Sequence, residues 1–97
     1  MKPVIFSEAA TQDFEESVAW YRNAQPDCSA EFAAEIYRCA DIIEQRPAAY
    51  AIYCAQYRRI LLRRFPYFLL YWETLYNIEI VAVGHAKRGP RFWQSRM

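Results

Sequence analysis

Proton-transfer chemistry in this chain has one candidate, His85, the sole imidazole among 97 residues. It sits in the run Gly84-His85-Ala86-Lys87-Arg88-Gly89-Pro90-Arg91-Phe92-Trp93, with two arginine pairs upstream, Arg58-Arg59 and Arg63-Arg64. An imidazole gives or takes a proton near neutral pH, and fixed cations stabilise extra charge on a phosphate. These residue types suit metal-free acid–base work, with His85 as base or acid and Arg59, Arg63, Lys87, Arg88 or Arg91 as the stabilising cations. The competing reading is that His85 merely ends a strand and hydrogen-bonds locally. Metal chemistry has less material. Cys28, Cys39 and Cys54 fall in no ligand spacing, so neither a zinc site nor a disulfide framework is expected, and no cofactor is implied.

Charge is divided along the chain. Residues 1–50 carry four basic side chains against nine acids, and residues 51–97 carry eight against two, which leaves a net charge of +1. A basic half of this kind predicts an anionic partner, nucleic acid or an acidic protein segment. Adjacent residues of a strand face opposite ways, so only one of each arginine pair can join a given patch. Arg59 and Arg63 are expected to share a face with Leu61, while the others line a solvated edge or pair with Glu73 and Glu79.

The elements that must position these groups follow from hydrophobic spacing. Val4-Ile5-Phe6 is a short β-former, and Ser7 is a helix N-cap with Glu8 in the first turn. Ala10, Phe14, Val18 and Tyr21 build one apolar stripe of a helix running to about Asn23. Pro26-Asp27 makes a turn of five or six residues. Ser29 then caps a second helix with the stripe Phe32, Ile36, Cys39 or Ala40, and Ile43, stopped by Pro47. Each helix is roughly 17 residues, about 25 Å long, and the two are expected to pack as an antiparallel hairpin. Trp20, with Phe14, Tyr21, Phe32 and Ile36, is expected to be a packing residue that supports the sheet. Residues 48–56 show no period and read as a connecting loop.

From Tyr57 the period becomes two, with Ile60 and Leu62 alternating against Arg59, Leu61 and Arg63. Phe65-Pro66 interrupts the ladder. Residues 67–73 are apolar on both faces and read as the central strand. Residues 74–77 form a hairpin loop with Asn77 tolerant of positive φ, and residues 78–83 form a third antiparallel strand. Gly84 allows a bulge or a close approach, and the end of the chain is an extended tail or short edge element. The expectation is one α+β domain over residues 1–97, a helical hairpin on one face of a small, mainly antiparallel sheet in the order β-α-α-β-β-β.

That layout, together with Arg58-Arg59-Ile60-Leu61-Leu62-Arg63-Arg64-Phe65-Pro66-Tyr67, Ile78-Glu79-Ile80-Val81-Ala82-Val83 and the run from His85 to Trp93, resembles the RelE/ParE superfamily of type II toxin–antitoxin toxins, a plasmid-stabilisation-like system. The resemblance implies growth inhibition held in check by a cognate antitoxin that folds around the toxin. In the ParE-like branch the target is DNA gyrase, and the implied target-binding residues are Lys87, Arg88, Arg91, Trp93 and Tyr71. In the RelE-like branch the chain is a metal-independent, ribosome-dependent endonuclease of messenger RNA, with His85, Arg59 and Arg63 as its catalytic set. RelE-like nucleases tend to end in a tyrosine near the active groove, whereas this tail offers Phe92 and Trp93, so the ParE-like branch is favoured. A third possibility is a non-toxic nucleic-acid-binding module that stacks bases on Tyr71, Trp72 and Trp93. The N-terminal apolar run is too short for a signal peptide, and residues 68–72 are too few to span a bilayer, so a cytoplasmic protein without a membrane partner or small-molecule substrate is expected.

Overall fold

The computed structural model describes residues 1–89 and 91–96, with Arg91 described in its backbone alone. Val4–Phe6 forms strand β1, and the chain turns at Ser7. The Ser7 N–H donates to the Ile80 carbonyl at 2.9 Å, and its hydroxyl accepts from the Ala10 N–H at 3.1 Å. That hydroxyl satisfies one of the donors every helix start leaves orphaned. Helix α1 follows over Glu8–Ala24, with Ala10 and Tyr21 buried and Phe14 and Val18 packed at the margin of the core.

Helix α2 spans Pro26–Gln45 and starts ahead of the expected cap at Ser29. Pro26 takes the first helical position, where its fixed φ suits the helix and its missing N–H costs nothing. Ser29 instead donates its hydroxyl back to the Pro26 carbonyl at 3.0 Å. The predicted turn shrinks to Gln25 alone, which forces the two helices into the antiparallel hairpin. Phe32, Ile36, Cys39, Ala40 and Ile43 are the buried stripe. Burial pushes the Cys39 thiol up to about 11, so it behaves as a small apolar core group.

Strands β2 (Ile52–Cys54), β3 (Tyr57–Leu61), β4 (Tyr67–Glu73) and β5 (Ile78–His85) complete a five-stranded sheet in the order β1-β5-β4-β3-β2. β1 lies parallel to β5 and the other neighbours are antiparallel. The fold is α+β with the expected β-α-α-β-β-β order. β2 adds one strand inside what reads as a loop, because an edge strand with Ile52 and Tyr53 both exposed carries no alternating signature. β4 is central, as its two apolar faces require. The helices cover one face, and a single-turn helix α3 (Arg91–Gln94), in place of an extended tail, covers part of the other. The turn after β4 is held by the Thr74 hydroxyl, which accepts from the Asn77 and Tyr76 N–H groups at 3.0 and 3.2 Å. Asn77 does not use a positive φ; among the described residues Ala55 and Arg64 do.

Candidate functional site

One extra residue decides which side of the sheet each candidate group occupies. Leu70 pairs with Ala82 and Tyr71 with Ile80, so Val81 is a bulge in β5. Ile78 and Ile80 face the helices, Val81 and Ala82 both pack in the outer cluster, and Val83 returns to the helix side. Strict alternation from Ile80 would send His85 to the outer face. The bulge reverses the phase, a recognised way of re-aiming a strand. His85 therefore stacks edge-on against Tyr67 on the helix side, ring centroids 5.1 Å apart.

The bulge is pinned by a buried ion pair. β1 ends at Phe6, so the edge of β5 beyond Ile80 has no strand beside it. Asp13 of α1, 8% exposed, supplies the missing acceptor: its Oδ2 accepts the Val83 N–H at 3.0 Å. The Arg96 guanidinium binds both carboxylate oxygens, Nη1 to Oδ2 at 2.6 Å and Nη2 to Oδ1 at 3.0 Å, and donates to the Val81 carbonyl at 3.0 Å. Hydrogen bonding to Asp13 raises the Arg96 pKa further, so this cation is permanently charged. Two side chains thus complete the ladder where backbone is lacking.

The outer face carries a belt of rings edged by cations. Arg59 lies over the Tyr53 ring at 4.0 Å and farther from the Phe68 ring at 5.5 Å, and Arg88 lies over Phe92 at 4.3 Å. Tyr53 contacts Phe68 and Trp93, and Phe68 contacts Phe92, so the belt runs unbroken from β2 to α3. Gly84 makes it possible. A β-carbon there would stand 2.3 Å from Cζ of Phe92 and 3.0 Å from Cζ of Phe68. Lys87 and Arg88 are exposed beside it.

The helix-side end of β5 opens onto a groove of about 640 Å³, lined by the turn end of the hairpin, the chain between β3 and β4, and His85. Trp20 forms one wall; it meets Tyr21 edge-on but is 55% exposed rather than buried as a packing residue, because it lies off the apolar stripe of α1. At the rim Arg64 donates to Glu31 at 2.8 Å.

The sequence-derived sites are thereby divided. His85 and Arg59 stand on opposite sides of the sheet. Arg63 lies past the end of β3, beyond the alternation that would place it with Leu61, and its backbone N–H donates to Glu35. The expected catalytic set is not assembled. Arg58 donates to the Tyr50 and Ala48 carbonyls, Glu73 pairs with Lys2, and Glu79 accepts from the Trp72 indole. Tyr71 and Trp93 do not present rings to a partner. Tyr71 is 0% exposed, donates its hydroxyl to the Pro47 carbonyl at 2.8 Å, and has its phenol pushed up to about 12 by burial. Trp93 is 1% exposed and plugs the outer cluster. The Arg91 side chain lies outside the described residues. Tyr53, Phe92 and Arg64 take surface positions that sequence spacing did not single out; the glycine at 84 was the one legible signal, since it foretold a close approach. Among the described residues no group of His, Cys, Asp and Glu is arranged to hold a metal ion, and no helix is long and apolar enough to cross a membrane.

Comparison with known proteins gives a consistent picture. Residues 4–90 match the family described as ParE toxin of type II toxin-antitoxin system, parDE. A solved structure titled "Chromosomal ParDE TA system from P. aeruginosa" superposes with a TM-score of 0.79 at 15% identity, over 90% of this chain and 98% of that one. The search of curated proteins gives no match.

Proposed function

Given that the chain belongs to the ParE toxin family of type II toxin–antitoxin systems, we propose that it arrests growth by engaging DNA gyrase through its outer sheet face and that a cognate antitoxin neutralises it in the cytoplasm. The observation that carries this reading is the cation-edged aromatic belt, Arg59 on Tyr53 through to Arg88 on Phe92, from which the chain's one imidazole is turned away. A surface of this composition binds; it has no group placed to move a proton. The nuclease alternative, ribosome-dependent cleavage of messenger RNA, draws less support because His85 and Arg59 are separated by the sheet. A neutralising segment has a seat on the hairpin, where Phe14, Val18, Ala33 and Tyr37 line a shallow groove between the helices and Tyr37 is 57% exposed. An amphipathic helix laid there would bury its apolar face between Glu15 and Arg22.

Expression without antitoxin tests the proposal. Growth arrest with linearised DNA and a DNA-damage response is expected, and Arg59→Glu with Arg88→Glu should abolish it without lowering the melting temperature. Arrest with rapid loss of translated messages and intact DNA would refute the gyrase reading.

A further inference from the structure

The groove at the turn end of the hairpin takes no part in the belt on the opposite face, yet its chemistry is specific. Its walls are aromatic: Trp20 stands perpendicular to Tyr21 at 5.0 Å, and Tyr67 packs edge-on to His85. Its floor is polar. Among the described residues neither the Tyr21 nor the Tyr67 hydroxyl has a hydrogen-bond partner, and no buried side-chain oxygen or nitrogen is left unsatisfied, so both phenols open into the groove. Tyr21, Cys28 and Tyr67 all line the groove, and burial, then Tyr67 and Cys28, raises the Tyr21 phenol. His85 accepts the Lys87 N–H on Nδ1 at 3.1 Å, so in the neutral ring Nε2 holds the proton. At the rim, Arg64 sits in the left-handed region at φ 67, which a β-carbon disfavours, and its side chain is 75% exposed. Sparsely populated backbone of this kind concentrates where a side chain is presented to a ligand.

We propose that this groove binds one unstacked nucleotide of a single-stranded nucleic acid, with the base on Trp20 against the hydrogen-bonding floor and the adjacent phosphate on Arg64. The volume suits one such unit, since ligand pockets run about 300–1,000 Å³. An apolar peptide side chain would bury the phenols and the imidazole without partners, which is costly, whereas a base edge carries donors and acceptors for them. A duplex keeps its bases stacked and offers none to a concave site. Glu31 is the local competitor: it holds Arg64 and repels a phosphate, so the occupied state requires Arg64 to exchange a carboxylate for a phosphate oxygen. The inference goes beyond the toxin assignment and does not depend on which macromolecule the outer face engages.

Titrating the purified chain with hexauridylate and hexathymidylate, followed by tryptophan fluorescence and by the His85 ring resonances, tests it. Saturable quenching with a His85 shift is expected. Trp20→Ala should weaken binding by about 5- to 160-fold, the value of one base–aromatic stack. Arg64→Gln should weaken it and lower the salt slope by about 0.7, one phosphate contact on a single strand. Glu31→Gln should tighten it, because Arg64 is then free. An abasic hexamer binding as well as hexauridylate would overturn the base site. Uridine monophosphate binding as tightly as the hexamer would overturn the strand in favour of a free nucleotide. Weaker binding in Glu31→Gln, or affinity for an acidic aromatic peptide with none for either oligonucleotide, would refute the proposal outright. None of these outcomes bears on growth arrest, so the toxin reading stands or falls separately.

Discussion

Replacing Asp13 with Ala should unfold more of the protein's stability than any other single polar change described here. The carboxylate is the only described side chain bonded to the Val83 N–H, and it holds Arg96 through both oxygens. An orphaned buried N–H costs about 1–3 kcal/mol. Breaking a buried pair costs about 3–5 kcal/mol, but the Arg96 side chain keeps 23% of its exposure and is partly rehydrated, so about 1–2 kcal/mol is the fitting share here. The sum, about 2–5 kcal/mol, is a large fraction of the ~5–15 kcal/mol available to a domain. In urea the midpoint should fall with little change in slope, and the melting temperature should drop by at least about 8 °C. Asp13→Asn keeps an acceptor for Val83 and loses only the charge, so it should cost about half as much. Arg96→Ala should be non-additive with Asp13→Ala, with a coupling of at least about 1.5 kcal/mol. The same clip pins the bulge, so the His85 ring should leave Tyr67 in Asp13→Ala. A cost below about 1 kcal/mol, or equal costs for Ala and Asn, would refute the role assigned to this pair.

Three further outcomes follow from named contacts. Hydrogen bonding from Arg38 holds the Glu35 carboxyl below its usual value of 4.5, so its stabilisation is complete above that pH and is lost as pH falls through the lowered folded value. Glu35→Gln should cost about 1 kcal/mol at neutral pH, and its acid unfolding curve should approach that of the parent below pH 4.5 and meet it only once pH passes below the lowered folded value, read by circular dichroism. Gly84→Ala should displace the Phe92 ring, lower stability by about 1 kcal/mol and reduce toxicity, the last because the belt is broken. Tyr71→Phe should cost about 1 kcal/mol by removing the bond to the Pro47 carbonyl and leave growth arrest intact in cells; lost toxicity at unchanged stability would contradict a purely internal Tyr71.

Much of the fold is written in spacing. The stripes of α1 and α2, the Ser7 cap and the two-faced apolar content of β4 each state a local rule that the packing then obeys. What spacing misses is anything settled by tertiary competition. Ser29 has the composition of a cap, yet Pro26 begins the helix first and leaves that hydroxyl a lesser role. β2 has no periodic signal because both of its faces are open to solvent. The candidate site was less legible because alternation counts only until a residue is inserted. Val81 looks like any other apolar strand residue, and nothing beside it in sequence announces that Asp13, 68 positions upstream, and Arg96 will supply the partners that make a bulge stable there. Tyr71 and Trp93 were misplaced for a related reason: aromatic content predicts contact area, while burial depends on what covers each face, the helices over Tyr71 and the fold-back of α3 for Trp93.

The division of the sheet bears directly on how neutralisation must work under the proposed function. Arg59 and Arg88 lie on the outer face, whereas Phe14, Val18 and Tyr37 lie on the solvent side of the hairpin, with the whole helical layer and the sheet between them. A partner helix confined to the hairpin would leave the cationic belt open, and screening by its charge would fade over about a Debye length, ~8 Å at physiological salt. Occlusion therefore requires a segment long enough to pass round an edge of the sheet. The edge at β2 is the nearer route to the belt, since Tyr53 is both an edge residue and the ring on which Arg59 rests. An extended acidic stretch continuing there could pair with the free side of β2 while setting a carboxylate against Arg59, so that one continuous segment meets a helical seat first and a strand edge second.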